Sequence, residues 1–176
     1  MRKTVITYGL ISGAIIAIMM IIGIGLFAKK SNFEGSMVVG YITMILAFLV
    51  IYPGMASYRD NIGGGTIKYG RALSIGLLIT VISSICYVIT WVIIYHTVFP
   101  DFMEKYAAYI INKMKEKGAS ATAIDKQMTE LKHYKDMYKN PVTMCLLTFI
   151  EPLPVGIIIS VIAAFIVRMK KKTAKI

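Results

Sequence analysis

One acidic residue, Glu151, lies inside an apolar run that extends from residue 142 to residue 167. Pro152 and Pro154 follow it closely, and each proline removes a backbone N–H and so frees a helix carbonyl group. Hydrocarbon offers no partner for a carboxylate or a freed carbonyl, so neighbouring helices or interfacial water must satisfy them. The pattern predicts a helix break at Pro152 and Pro154. Glu151 is a candidate binding residue for a cation, a proton or a polar ligand; alternatively, it caps the broken helix and reaches interfacial water.

Polar side chains recur in the third apolar segment at three- and four-residue spacing, which places them on one face of a helix. This polar stripe consists of Thr80, Ser83, Ser84, Tyr87, Thr90 and Trp91. Its hydroxyl groups could line a cavity with Glu151, or they could simply bond across helices and back to their own helix. The candidate polar pocket contains Glu151, His96, Tyr87, Thr90 and Ser83. Counting along the helices brings His96 to a level similar to Glu151, where the two could pair, about 6 Å inside the outer edge of the hydrocarbon core.

Other kinds of chemistry find little support in the sequence. Cys86 and Cys145 form no CxxC pair and no cluster with histidine at metal-binding spacing, so we expect no metal site and no cofactor. Paired acids and serine–base motifs are also lacking, which argues against an enzyme. The net charge is +11, but the basic residues concentrate at segment ends instead of one soluble face, which argues against a nucleic-acid partner.

A polar segment after the second apolar run contains Arg59 and Asp60, followed by Gly63, Gly64 and Gly65. Three glycines beside basic residues could cradle a phosphate with backbone N–H groups. The spacing matches neither the P-loop nor the dinucleotide-binding fingerprint. The sequence therefore favours a tight juxtamembrane loop near anionic lipid headgroups.

Four apolar segments must position these residues. The composition is 57% hydrophobic and 16% charged, and the mean hydropathy is +0.68, against about 25% charged residues in ordinary soluble domains. Each segment reaches the roughly 20 residues that span a bilayer. The predicted fold is all-α: a four-transmembrane-helix bundle in one integral membrane domain, with an extramembrane helical hairpin between the third and fourth spans. The spans cover residues 4–28, 37–56, 72–99 and 142–167, and the hairpin covers 101–140.

Two further features concern the first and second spans. Gly9 and Gly13 make a small-xxx-small pattern that lets helix backbones approach closely, although glycine is frequent in membrane helices generally. Pro53 is expected to kink or terminate the second helix.

Lysine and arginine residues predict the orientation of the chain in the membrane. The N-terminus, the second loop and the C-terminal tail carry dense basic residues close to the spans, whereas the hairpin mixes its lysines with acids. Because basic residues concentrate on the cytoplasmic side, both termini are predicted to be cytoplasmic and the hairpin external.

Several motifs together resemble a known family. They are 57–61 with 63–65, 76–80, 100–102, 137–141 and 148–156. In order and kind they resemble the bacterial membrane family named domain of unknown function 4199. The resemblance covers nearly the whole chain and implies a single four-helix integral membrane domain, but no activity. We accordingly predict a multi-pass protein of the bacterial cytoplasmic (inner) membrane.

The sequence favours the first of two functions, because it requires no chemistry, and keeps the second as the alternative. The first is an accessory or scaffold protein that binds partners in the membrane, either another membrane protein or further copies of itself. The second is a small carrier of protons, ions or polar solutes that uses Glu151 at the proline-broken helix.

Overall fold

The computed structural model describes residues 1–27 and 33–169, with side chains placed at 1–23 and 38–169. Over these residues the regular structure is helical. The helices are α1 (Arg2–Phe27), α2 (Phe33–Phe48), α3 (Ile51–Asn61), α4 (Tyr69–Thr97), α5 (Phe102–Glu116), α6 (Ala121–Lys139), α7 (Pro141–Ile150) and α8 (Leu153–Met169). Four stretches are long and apolar enough to cross a membrane: Arg2–Gly23, Val38–Asn61, Tyr69–Thr97 and Pro141–Met169. The predicted all-α fold with four membrane-capable helices is confirmed. Lys29, Lys30 and the C-terminal lysines lie outside the described residues.

The α1 and α4 helices form the most extensive contact in the bundle. Gly9 and Gly13 face α4 there: a Cβ added to Gly9 would lie 2.8 Å from Ile82, and one added to Gly13 would lie 2.6 Å from Cys86. The close approach also lets the Ser83 hydroxyl donate to the Gly9 carbonyl across the helices at 3.2 Å. The small residues therefore bring two backbones of the same chain together.

We expect the double substitution Gly9→Leu, Gly13→Leu to lower the thermal unfolding temperature in detergent, because both side chains would enter space held by Ile82 and Cys86. The matched control is Gly23→Leu, since an added Cβ at Gly23 meets nothing within 4 Å. Equal unfolding temperatures for the double variant and the control would contradict this packing.

The second span is interrupted at residues 49–50 and continues through Pro53 to Asn61. Pro53 is the third residue of α3, where a helix needs no N–H donor, so it is tolerated without ending the helix. The Leu49 carbonyl accepts a bond from the Tyr52 N–H at 3.2 Å instead. Arg59 and Asp60 therefore lie in the last turn of α3, and their predicted location in a juxtamembrane loop is wrong.

The fourth span consists of α7 and α8, separated at Glu151 and Pro152. Asn140 caps α7, because its side-chain oxygen accepts bonds from the N–H groups of Val142 at 2.9 Å and Thr143 at 3.4 Å. Pro141 is the first residue of α7, a favoured place for proline. The break lies at the predicted position, and Pro152 is fully buried there.

The hairpin consists of α5 and α6, which are joined at Gly118 with a φ of +70°. Lys135 of α6 contacts Glu104 of α5 at 2.7 Å, and this hydrogen bond lowers the pKa of the Glu104 carboxyl. Rings join the hairpin to α4. We call this group the aromatic base; it comprises Trp91, Tyr95, Phe102, Tyr106 and Tyr138.

Candidate functional site

A buried arginine lies at the end of the bundle that is predicted to be cytoplasmic. Arg59 is 7% exposed and binds Asp60 through two bonds, at 2.7 Å from Nε and 3.1 Å from Nη2. Its Nη1 also donates to the Val167 carbonyl at 3.4 Å, near the end of α8. A guanidinium at this place satisfies a terminal helix carbonyl and carries the charge that complements the helix dipole. Arg59 thus ties α3 to α8.

The glycine turn after α3 uses three of its N–H groups on the backbone of the chain itself and not on a phosphate. Gly63 donates to Tyr58 at 2.9 Å, Gly65 to Arg59 at 2.9 Å, and Thr66 to Gly63 at 3.3 Å. Gly64 and Gly65 adopt φ angles of +63° and +86°, which non-glycine residues rarely do. This arrangement ends α3 and reverses the chain.

Glu151 forms a hydrogen bond with one residue of the polar stripe. The Tyr87 hydroxyl of α4 donates to Glu151 Oε2 at 2.8 Å. Tyr87 is 9% exposed, whereas Glu151 as a whole is exposed on the surface of the single chain. Within the described residues Oε1 of Glu151 has no partner, so one oxygen of the carboxylate is held by Tyr87 and the other is open.

Position along the chain explains this pairing. The spans Tyr69–Thr97 and Pro141–Met169 flank the hairpin, and Tyr87 and Glu151 each lie ten residues from its side. At about 1.5 Å per residue both are about 15 Å from that end of their span. Equal distances put them at the same depth in adjacent antiparallel helices.

Three buried polar atoms have no hydrogen-bond partner within the described residues: Ser84 Oγ, Trp91 Nε1 and Thr148 Oγ1. Thr148 lies one helical turn before Glu151 and is 2% exposed, and Trp91 lies one turn after Tyr87. Buried polar groups are nearly always satisfied in native structures. Thr148 Oγ1, one helical turn before Glu151, is therefore a group with which a ligand or a water molecule could pair.

Tyr138 of the hairpin is a polar neighbour of Thr148. Burial raises the pKa of its hydroxyl, the neighbouring Thr148 lowers it, and the charge of Glu151 raises it. Tyr138 is thus close to Thr148, Trp91 and Glu151, although neither Thr148 Oγ1 nor Trp91 Nε1 makes a hydrogen bond of good geometry.

The other predicted pocket residues lie elsewhere. His96 is exposed, and its ring packs edge-on against Tyr95 at a centroid distance of 5.5 Å. No hydrogen bond or ion pair joins it to Glu151 among the described residues, so the structure does not bring this pair together. Thr90 donates to the Cys86 carbonyl at 2.8 Å, and Ser83 donates to Ile79 and Gly9. These hydroxyls are already used within the bundle.

The model of a family described as "Protein of unknown function (DUF4199)" matches residues 7–169 of the chain. The chain belongs to the DUF4199 family. The resemblance inferred from its motifs is confirmed. No curated protein and no solved structure matches the chain.

In this DUF4199 chain, the group around Glu151 offers one negative charge, one tyrosine donor and an orphaned threonine hydroxyl. Among the described residues, no three His, Cys, Asp or Glu side chains come together as a metal site would require. Thr148 and Tyr138 were not predicted from sequence. Their positions in the sequence could have indicated them, because Thr148 is one helical turn from Glu151 and Tyr138 ends the hairpin just before the fourth span.

Proposed function

We propose that this multi-pass membrane protein is a small carrier that binds one positive charge, a proton or a monovalent cation, at Glu151. The observation that supports the proposal is the Tyr87–Glu151 hydrogen bond of 2.8 Å, which joins two helices at a proline break and leaves one carboxylate oxygen open. A helix cap would use its carboxylate on the N–H groups of its own helix. Glu151 instead bonds to α4, and its backbone is helical, with φ −57° and ψ −51°.

The cost of placing a carboxylate at this depth also supports the proposal. The sequence predicted a depth near the outer edge of the hydrocarbon; with the hydrocarbon centred on span Pro141–Met169, Glu151 instead lies about 6 Å from the midplane. An acid near the centre of a membrane helix costs about 2.5–3.5 kcal/mol on insertion scales. One tyrosine bond offsets only part of this cost, whereas a bound cation or proton removes the charge itself.

Flux in proteoliposomes tests the proposal. We expect the parent protein to carry protons, Rb⁺ or tetramethylammonium down an imposed gradient, and Glu151→Gln to reduce that flux at least tenfold, because the amide keeps the shape but cannot neutralise a cation. Tyr87→Phe should give an intermediate loss.

The matched control is Glu130→Gln, which removes an exposed carboxylate of α6 outside the spans. Flux of Glu151→Gln equal to that of the parent and of Glu130→Gln would end the carrier proposal.

A second candidate function, an accessory protein that binds membrane partners, has its own observation. Met128 and Tyr134 of α6 are 54% and 52% exposed, although α6 lies outside the four spans. These two exposed side chains offer apolar area that a partner could cover. Copurification from native membranes should then recover a partner, or a second copy, that Met128→Lys with Tyr134→Lys removes. A chain recovered alone from native membranes speaks against this function.

We further propose that the protein lies in a bacterial cytoplasmic membrane with both termini inside. Arg2, Lys3, Lys68, Arg71 and Arg168 support this orientation, because each lies at an end of a span on the same side of the bundle. With Cys86 and Cys145 replaced by alanine, a cysteine introduced by Gly118→Cys in the hairpin turn should react with a membrane-impermeant maleimide on intact cells. Protection there, together with labelling of Lys68→Cys, would reverse the orientation.

A further inference from the structure

We propose that the ligand of the Glu151 site is an organic ammonium ion that enters sideways from the lipid. The inference rests on the carrier function proposed above and names its substrate class. It is carried by the combination of Glu151, the buried Tyr87 and the aromatic base of the hairpin. An organic ammonium needs one negative charge for its nitrogen and apolar or aromatic surface for its carbon groups.

The aromatic base supplies that surface. The Trp91 ring lies 5.0 Å from Phe102 and 6.3 Å from Tyr95, and Tyr95 lies 5.7 Å from Tyr138. Two members come from different elements: Trp91 lies one helical turn from Tyr87 on α4, and the Tyr138 ring of α6 lies 5.7 Å from Tyr95 and within range of the Glu151 charge. Ring faces carry negative potential, which favours ammonium groups over neutral ones of the same shape.

Inorganic cations fit the same place poorly. A dehydrated alkali ion needs a shell of several oxygen ligands, whereas this site offers the open oxygen of Glu151 and the orphaned Thr148 hydroxyl. Alkylated nitrogen needs few oxygen ligands because its hydration is weak and its carbon groups contact rings directly.

Exposure of Glu151 indicates the route of entry. Glu151 is exposed in the single chain, and its neighbour Ile150 is 58% exposed on a membrane-spanning helix. In a bilayer this outward surface would meet lipid, so an amphiphilic amine dissolved there would approach Glu151 from the side.

Trp91 provides the readout, because it is the single tryptophan of the chain. We would titrate the protein in nanodiscs with benzyltrimethylammonium and, separately, with neopentylbenzene, its uncharged carbon isostere, while recording tryptophan emission. The expected result is a saturable change with the cation alone. Glu151→Gln should weaken binding at least tenfold, and the control Glu130→Gln should leave it unchanged.

Ring variants test the aromatic part. Tyr138→Leu should weaken binding about 3- to 30-fold, whereas Tyr138→Phe, which keeps the ring, should remain within about twofold of the parent. If Tyr138→Leu does not fold, the difference between the cation and its isostere in the parent decides the matter alone.

Equal responses to the cation and the isostere, or unchanged titration of Glu151→Gln, would overturn the inference. Glu151-dependent flux of protons or Rb⁺ without binding of benzyltrimethylammonium would also overturn it, while leaving the carrier function in place. If the parent protein shows neither Glu151-dependent flux nor binding of benzyltrimethylammonium, both proposals are wrong.

Discussion

Replacing Gly156 with leucine is expected to prevent stable folding, with a loss of at least about 3 kcal/mol. Gly156 lies on α8 where it crosses α4, and an added Cβ would overlap the side chain of Thr80. Thr80 is 1% exposed, and its hydroxyl donates to the Gly76 carbonyl at 3.0 Å and lies 3.4 Å from Ser160. Rotating Thr80 away would sacrifice its hydrogen bond, so the helices must separate instead.

The matched control is Gly40→Leu. Gly40 also lies in a membrane-spanning helix, but an added Cβ there meets nothing within 4 Å. We expect this variant to unfold in detergent at about the parent temperature, because leucine favours the helix and faces open space. Similar decreases in unfolding temperature for Gly40→Leu and Gly156→Leu would show that leucine acts through some property other than helix packing.

The second large effect is expected from Arg59→Ala, with a loss of about 2–4 kcal/mol in the free energy of unfolding. The substitution removes both bonds to Asp60 and the bond to the Val167 carbonyl. Asp60, with 30% of its side chain exposed, would keep its charge without its bidentate partner. That partial exposure keeps the expected loss below the upper range for fully buried pairs.

Two further arginine variants separate charge from geometry. Arg59→Lys keeps the charge but loses the two-pronged contact, so its loss in thermal unfolding should be intermediate. Arg71→Ala should cost little, because Arg71 is exposed and its contact with the Tyr58 hydroxyl is 3.3 Å long. A stability of Arg59→Ala equal to that of Arg71→Ala would contradict the role of Arg59 between α3 and α8.

Most of the fold could be predicted from the lengths of the apolar segments and from the prolines. A bilayer requires about 20 apolar residues for each span, and proline must interrupt helix hydrogen bonding. Pro53 was expected to kink or terminate the second helix. The interruption at residues 49–50 fits a kink, but the span continues to Asn61, because Pro53 lies in the first turn of α3 and local sequence does not reveal where a helix starts. Arg59 was expected in a loop for the same reason. Charged residues usually indicate the end of an apolar segment. Arg59 stays within the helix because Asp60 lies beside it as its partner.

The sequence predicted residues of the site but not which of them form a hydrogen bond. Glu151 and Tyr87 were both expected in the polar pocket, and they meet; His96 was expected beside Glu151 and packs against Tyr95 instead. Depth alone does not choose between partners, because the rotation of a helix about its axis decides which face meets its neighbour. Tyr87 belongs to the face of α4 that also buries Thr80 and Ser84, whereas His96 lies on an exposed face.

The contact of Gly13 with Cys86 has a consequence for biosynthesis. These residues are separated by about 70 positions, and chains are made at about 5–20 residues per second, so α1 emerges several seconds before the helix against which it packs. During that interval α2 is the neighbour at hand. The Ser12 hydroxyl donates to the Ala47 carbonyl at 3.0 Å, a bond that forms as soon as the second helix is inserted. The nascent chain can thus hold its first two helices together until α4 arrives to complete the bundle.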